Sequence, residues 1–231
     1  MIDKTKTDAK LGEEIEAHLK ELGINTPTIL TEDEARGKDI SDDQKDKLTD
    51  LFSQALTTLG LDLSDDSLCD TPRRMAKMWI DEVFYGLKPR NFPKLTTVEN
   101  KMKYDELVIE KDINVQSNCE HHFVVIDGKA YVGYIPKDNV IGLSKINRIV
   151  EYFAKRPQIQ ERLTEQIHAT LSYLLKTDDV AVIIDGTHYC VKSRGVEDTC
   201  SSTITSRMSG RFRDEECGLR REFLELIKLN K

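Results

Sequence analysis

The spacing of apolar residues along the chain predicts helices in its first hundred positions. Four apolar residues recur every three or four positions before Gly23 and would form one face of an amphipathic helix: Leu11, Ile15, Leu19 and Leu22. The polar stretch 25–40 that follows contains Pro27, which is typical of a linker. Residues 1–40 are therefore expected to form an N-terminal helix and a linker.

Two further helices are predicted in residues 41–100, a region expected to pack on the rest of the protein. The first begins with Ser41 as its N-cap. The second begins at Thr71-Pro72, because Thr is a favoured N-cap and Pro fits the first helical position, and it ends near Gly86. The apolar stripe of the first of these helices consists of Leu48, Leu51, Phe52, Ala55 and Leu59.

Residues 101–231 mix strand and helix patterns and are expected to form one α+β domain. Strands are predicted at 107–109 and 113–115, and then on both sides of Asp127-Gly128, a dipeptide typical of a hairpin turn. Two amphipathic helices follow Gly142, and strands return at 180–184, 189–191 and 201–205. The predicted order is ββααββ, followed by a last helix around Phe223.

The charge and composition of the chain argue against several classes of protein. The net charge is −7, whereas wholesale binding of nucleic acid needs an excess of Lys and Arg. No run of about 18 apolar residues occurs, and residues 1–10 lack the apolar stretch of a secretory signal. We therefore expect a cytoplasmic protein that does not span a membrane. Its five widely spaced cysteines favour free thiols or metal ligands over disulfides.

Two short clusters combine cysteine and histidine, which are common zinc ligands. Cys119 and His122 lie three residues apart, and His188 and Cys190 would share one face of a strand. Two thiolates and one imidazole leave a fourth position open, as catalytic zinc sites do. The spacing alone is equally compatible with a closed structural site or with buried thiols. The extra histidines, His121 among them, favour catalysis because imidazole transfers protons near neutral pH.

Basic residues beside these clusters could hold an anion. A glycine loop, a serine at a predicted helix start and two basic residues make a plausible anion cradle, although the loop is not a P-loop. Each basic group alone is most simply a solvated surface. Three of them beside metal-binding residue types in an acidic protein favour a triphosphate pocket. The groups are Ser144, Lys145 and Arg148 after Gly142, then Lys192 and Arg194, then Arg73, Arg74 and Lys77.

Five segments together resemble the GTP cyclohydrolase I family. They are 71–78 (TPRRMAKM), 119–123 (CEHHF), 134–136 (YIP), 141–145 (IGLSK) and 188–195 (HYCVKSRG), in the family's order. The resemblance implies a tunnelling fold, a ββααββ antiparallel sheet with helices on one face. It also implies that several subunits close their sheets into a barrel, within a toroidal homodecamer whose active sites lie between subunits.

The resemblance further implies a zinc-dependent hydrolase that converts GTP and water into 7,8-dihydroneopterin triphosphate and formate, the first step of pterin and folate synthesis. By position, Cys119, His122 and Cys190 would hold Zn²⁺, and His121 and His188 would transfer protons. The residues implied to bind GTP are Glu161 and Gln160 for the guanine, and Ser144, Lys145, Arg148, Arg194, Arg74 and Lys77 for the triphosphate, some from a neighbouring chain.

Three other interpretations share parts of this pattern. A zinc nucleoside deaminase would need H-x-E and P-C-x-x-C, which the sequence lacks. A nitrile reductase of the same fold uses a cysteine nucleophile and NADPH without zinc, and the complete Cys119, His122 and Cys190 set argues against it. An oligomeric scaffold with a structural zinc would bind metal and form a ring without turning over GTP.

Overall fold

The described part of the first hundred residues contains the predicted helices. The computed structural model describes residues 3–29 and 39–229, so most of the predicted linker, residues 30–38, lies outside the described residues. None of the helices in the described part of the chain is long and apolar enough to cross a bilayer. The helices of this region are α1 (Ala9–Glu21), α2 (Ser41–Thr58) and α3 (Thr71–Met78), which continues as a π-helical turn over Trp79–Val83.

Two of the predicted N-caps are wrong by one residue. Ser41 and Thr71 are the first helical residues, and Ile40 and Asp70 occupy the cap positions without a capping side-chain hydrogen bond. The Ser41 hydroxyl instead accepts a hydrogen bond from Lys88 Nζ at 2.6 Å. The Ser41 side chain thus makes a tertiary hydrogen bond with Lys88 in place of a capping hydrogen bond to the helix backbone.

A five-stranded sheet forms the centre of the protein, in the order β5-β2-β3-β6-β7. Neighbouring strands are antiparallel except for the two-residue β5, which pairs in parallel with β2. The sheet is therefore mixed at one edge, where the prediction had it wholly antiparallel. The strands are β2 (Val108–Cys119), β3 (Val125–Tyr134), β5 (Pro157–Gln158), β6 (Val180–His188) and β7 (Thr203–Met208), while β1 (Thr97–Glu99) and β4 (Asn139–Ile141) form a separate pair.

The remaining helices complete the predicted α+β order. Two long helices separate the strand pair β2–β3 from the pair β6–β7, so the main elements follow ββααββ as predicted. A short helix and a last amphipathic helix come later in the chain. These helices are α4 (Leu143–Ala154), α5 (Gln160–Leu175), α6 (Tyr189–Lys192) and α7 (Leu219–Leu226).

Helices cover both faces of the sheet, whereas the prediction placed them on one. On the first face, Ile15 of α1 and Ile149 of α4 belong to the same buried cluster as Val182 of β6. On the second face, Phe223 of α7 packs in a separate cluster with Ile183. Successive side chains of a strand point to opposite faces, so β6 contributes to both cores.

The predicted hairpin at Asp127-Gly128 is wrong. Strand β3 runs straight through this dipeptide, and the chain reverses earlier, in residues 120–124 between β2 and β3. Gly128 lies opposite Gly186 of β6, and a Cβ atom on Gly128 would lie 2.2 Å from the carbonyl oxygen of Asp185. The glycine is therefore needed for the close approach of two strands and not for a turn.

Two other strand predictions need correction. Residues 108–109 and 113–115 belong to one strand, β2, whose register shifts between Glu110 and Ile113, with Asp112 at φ +58°. Residues 189–191 are not a strand, because the chain turns into the short helix α6 directly after His188. His188 and Cys190 therefore do not share the face of a strand.

Candidate metal centre

The register of the sheet brings the ends of β2 and β6 to the same place. Ile126 of β3 lies opposite Ser117 of β2 on one side and opposite His188 of β6 on the other. Cys119 follows Ser117 by two residues, and Cys190 follows His188 by two. The Cys119 thiol at the end of β2 and the Cys190 thiol just after β6 therefore both lie near the start of β3.

Cys119, His122 and Cys190 form a compact set of metal-binding side chains. Their ligand atoms all lie within 4.8 Å of one another, with Cys119 buried, Cys190 half-buried and His122 exposed. Burial and the adjacent Cys119 thiol raise the pKa of Cys190, which a cation held between the two sulfurs would reverse. Two sulfurs and one imidazole nitrogen suit zinc, and three protein ligands leave its fourth position open.

The turn between β2 and β3, residues 120–124, which we call the metal turn, is anchored on one side by polar contacts. The Glu120 N–H donates to the carbonyl oxygen of Gln158 at 3.0 Å, and the Glu120 carboxylate contacts the Arg162 guanidinium. The same carboxylate lies 3.9 Å from His121 Nε2. His121 Nδ1 lies 3.7 Å from Cys119 Sγ, so this exposed imidazole sits directly beside the cluster.

An aromatic cluster anchors the other side of the metal turn, and the sequence patterns did not single it out. Phe123 lies edge-on to Trp79 and Phe84, at centroid distances of 5.2 and 5.1 Å. Phe52 of α2 packs on Trp79 at 4.9 Å. The π-helical turn 79–83, a feature that is frequent at functional sites, carries the central ring of this cluster. Residues of the helical region 41–100 thus support the metal turn.

His188 lies at the end of β6 and is held by Gln160, the first residue of α5. His188 Nε2 lies 2.8 Å from Gln160 Oε1. Burial lowers the pKa of His188, which the negative charge of Glu161 partly offsets. Gln160 itself is buried, whereas Glu161 is exposed in the first turn of α5.

The predicted triphosphate residues lie on α3, on α4 and shortly after α6. Arg194 Nη1 lies 3.0 Å from His122 Nε2, at the metal cluster itself. Lys145, in the first turn of α4, donates from Nζ to the carbonyl oxygen of Lys94 at 3.3 Å. Arg74 of α3 forms an ion pair with Asp70 at 3.6 Å. The other members of the set are Ser144 and Arg148 on α4 and Lys77 on α3.

The fold and the cluster define an α+β protein with a Cys, His, Cys centre that is compatible with zinc. The profile of GTP cyclohydrolase I matches residues 48–228, and the chain therefore belongs to that family, as the sequence motifs predicted. Family membership makes it an enzyme, a hydrolase of the GTP cyclohydrolase I type.

Several relatives named GTP cyclohydrolase 1 match most of the chain. The protein of Yersinia enterocolitica is 52% identical over 222 residues, which cover 96% of this chain and 98% of the relative. The protein of Serratia proteamaculans is 51% identical over 93% of this chain and 94% of its own length. The protein of Pectobacterium carotovorum is 54% identical over 81% of this chain and 84% of its own length.

Proposed function

We propose that the protein is a zinc-dependent hydrolase that converts GTP and water into 7,8-dihydroneopterin triphosphate and formate. This would be the first step of pterin and folate synthesis. The observation that carries the proposal is the convergence of Cys119, His122 and Cys190 within 4.8 Å, in a chain of the GTP cyclohydrolase I family. Two further histidines, His121 and His188, flank that cluster and are not metal ligands in this assignment.

Zn²⁺ fits this cluster because the donor set is soft and incomplete. Cys119 and Cys190 supply two sulfurs, His122 supplies a nitrogen, and the exposed side of the cluster leaves room for a fourth ligand. When bound, zinc supplies a Lewis acid that lowers the pKa of water towards neutrality. Arg194, 3.0 Å from His122, places a positive charge at the same edge, where an anionic substrate would arrive.

The two remaining histidines handle protons in this proposal. As water adds to C8 of the guanine, the C8–N bond breaks, and His121, exposed beside Cys119, donates a proton to the departing ring nitrogen, which leaves a formamide. Hydrolysis of the resulting formamide releases formate. His188, held at its Nε2, then assists the opening of the ribose, whose carbons rearrange and close onto the free amine.

The proposed substrate contacts come from different parts of the chain. Arg194 lies at the metal cluster, whereas Lys145 and Arg74 contact Lys94 and Asp70 on other elements of the same chain. We therefore propose active sites between subunits of a ring, with a homodecamer as the expected assembly. Glu161, exposed on α5, would accept hydrogen bonds from the guanine edge. The proposed triphosphate contacts are Ser144, Lys145, Arg148, Arg194, Arg74 and Lys77.

The test is incubation of the purified protein with GTP, with and without a zinc chelator, while formate and a pterin absorbance are followed. We expect both products in equal amounts, and neither after chelation. Cys190→Ser should lose zinc and activity, whereas Cys200→Ser, which changes an exposed thiol, should keep both. Assembled, zinc-loaded protein that yields no formate would contradict the proposal and leave the structural-zinc scaffold.

A further inference from the structure

We propose that Gln160 is a positioning residue for His188, which it holds with the ring hydrogen on Nε2, and that it does not read the guanine. The inference rests on the proposed function, in which His188 transfers a proton. It assigns Gln160 a role different from the guanine contact that the family resemblance implies. The argument depends on the hydrogen-bond partners of one buried amide.

The nitrogen of the Gln160 amide is fully occupied by acceptors of the sheet. Nε2 lies 2.8 Å from the carbonyl oxygen of Thr203, 3.1 Å from that of Ile184 and 3.1 Å from Thr205 Oγ1. Two of these partners are backbone carbonyls, which can only accept. The NH₂ group of Gln160 must therefore face them, and the amide cannot be turned around without opposing oxygen to oxygen.

The third acceptor is fixed by a chain of two hydroxyl groups. Thr164 Oγ1 donates to the backbone carbonyl oxygen of Gln160 at 2.8 Å, so the hydroxyl hydrogen of Thr164 is used. Thr164 must then accept from Thr205 Oγ1, which lies 2.7 Å away. This uses the hydrogen of Thr205 as well, and Thr205 can only accept from the Gln160 amide. The two hydroxyl hydrogens therefore each have one consistent place, and the Gln160 NH₂ shares its two hydrogens among three acceptors.

The orientation of the amide determines the tautomer of His188. Gln160 Oε1 faces His188 Nε2 at 2.8 Å, and a carbonyl oxygen cannot donate. The hydrogen between them must therefore belong to Nε2 of His188. In the neutral ring Nδ1 is then the nitrogen that can accept a proton, which assigns the proton transfers of His188 to Nδ1.

A glycine leaves the space in which this contact forms. A Cβ atom on Gly186 would lie 2.5 Å from Gln160 Oε1 and 3.3 Å from the Gln160 amide carbon. Because Gln160 is buried and its amide hydrogens already face three acceptors, a guanine could reach this side chain only after the surrounding groups moved. Glu161, the next residue, is exposed and available to a ligand. The two neighbours thus divide into one that holds a histidine and one that can meet substrate.

The inference predicts that changes at Gln160 lower kcat and leave KM nearly unchanged. Gln160→Met has a similar length but cannot accept from Nε2, so His188 can rotate or adopt the other tautomer. We expect kcat for pterin formation to fall at least about tenfold, which is less than the roughly 10²–10⁴-fold that a general acid–base group itself contributes, because His188 is still present. Glu161→Gln is the matched comparison, and we expect it to raise KM for GTP instead.

Two further variants separate positioning from a general loss of structure. Gln160→Glu, in its protonated form, keeps an oxygen that can accept from Nε2 and an O–H that can donate to one of the two backbone carbonyls, and should recover part of the kcat that Gln160→Met loses. Gly186→Ala leaves both interacting residues in place but crowds Gln160 Oε1, and should lower kcat in the same way. Zinc content and oligomer size are measured for each variant alongside the kinetics.

The outcomes distinguish this inference from the proposed function. A wild-type protein that releases no formate from GTP overturns the proposed function itself. With active wild type, a Gln160→Met enzyme whose KM rises while kcat is kept shows that Gln160 binds substrate, and the positioning role is wrong. Equal losses in the Met and Glu variants, with Gly186→Ala unaffected, would likewise overturn it.

Discussion

Two phenylalanines pack on the same tryptophan, and the glycine and alanine variants at these two positions should have opposite orders of stability. Phe123 lies in the metal turn with φ +53°, a left-handed conformation that costs a residue with a Cβ atom about 1 kcal/mol or more. Phe52 packs on the same Trp79 ring from within helix α2. There, glycine costs about 1 kcal/mol relative to alanine. Replacing each ring by alanine and by glycine separates the backbone effect from the loss of the ring.

The magnitude follows from the burial of Phe123. Its side chain is 41% exposed, so a little over half of roughly 200 Å² is buried, which is worth about 3 kcal/mol at 25 cal/mol per Å². Phe123→Ala should therefore lower the free energy of unfolding by about 3 kcal/mol. Phe123→Gly loses the same ring but removes the left-handed strain, so it should lose only about 2 kcal/mol. At Phe52 the glycine variant should be the less stable by about 1 kcal/mol.

The assay is urea unfolding of the full-length protein at one fixed protein concentration, because assembly makes apparent stability depend on concentration. Circular dichroism reports the helices, and the fluorescence of Trp79, the single tryptophan, reports the aromatic cluster itself. If Phe123→Gly proves less stable than Phe123→Ala by the margin seen at Phe52, the left-handed conformation of the metal turn is wrong. A zinc content equal to that of the wild type in both Phe123 variants would show that the packing of this ring is not needed to hold the ligands.

Three further changes test buried features of the fold. Burial, with the nearby Arg207 charge, lowers the pKa of His168 to about 4 from 6.5. The unfolded state therefore binds more protons between these pH values, and the free energy of unfolding should fall by up to about 3 kcal/mol as the pH drops from 6.5 to 4. His168→Gln should flatten this part of the profile in acid-unfolding titrations. Glu16→Ala leaves the buried Arg156 guanidinium without its carboxylate and should cost about 3 kcal/mol in urea unfolding, whereas replacing both residues with Leu and Met should recover most of it. Gly128→Ala should cost about 2–3 kcal/mol because its Cβ would meet a backbone oxygen at 2.2 Å, while Gly60→Ala, at φ +86° with open space around it, should cost only about 1 kcal/mol by thermal unfolding.

The helices and the order of the strands were predictable because their signals are local and repeated. The apolar spacing that predicted α1 places Ile15 and Leu19 in the core, and the spacing after Gly142 places Ile146 and Ile149 there. Each of these helices buries one face, so its own sequence carries the period. The C-terminal helix gives the same signal through Phe223, but periodicity shows only that a face is buried. It does not show which side of the sheet buries it, and that prediction was wrong.

The errors fall where a distant segment decides the conformation. Asp127-Gly128 has the composition of a hairpin turn, yet the glycine serves Asp185 and Gly186, more than fifty residues away. Tyr189-Cys190-Val191 has strand propensity, yet the chain leaves the sheet after His188 and turns into α6. In the first place a contact with strand β6 overrides the local propensity, and in the second the end of β6 does so.

The residue types of the candidate centre could be chosen from sequence because chemistry restricts them, but their supports could not. Two cysteines and a histidine are common zinc ligands, but their spacing left a structural site or buried thiols open, and the family motifs decided the choice. The rings of Trp79 and Phe123 look like ordinary core residues until the turn beside the ligands is seen to rest on them. Gln160 was singled out by the family resemblance, yet only its four hydrogen-bond partners show that it faces His188.

The register of β3 against β6 links the fold to the centre. Gly128 lies opposite Gly186, and two residues along β3, Ile126 lies opposite His188. The two glycines permit the close approach of β3 and β6, and Gly186 also leaves the space for Gln160 Oε1. The pairing of these strands therefore also allows the contact between Gln160 and His188. A slip of β6 by one residue would move His188 to the opposite face and carry Cys190 away from Cys119. The close approach at Gly128 and Gly186 therefore specifies the geometry of the centre without contributing any group to its chemistry.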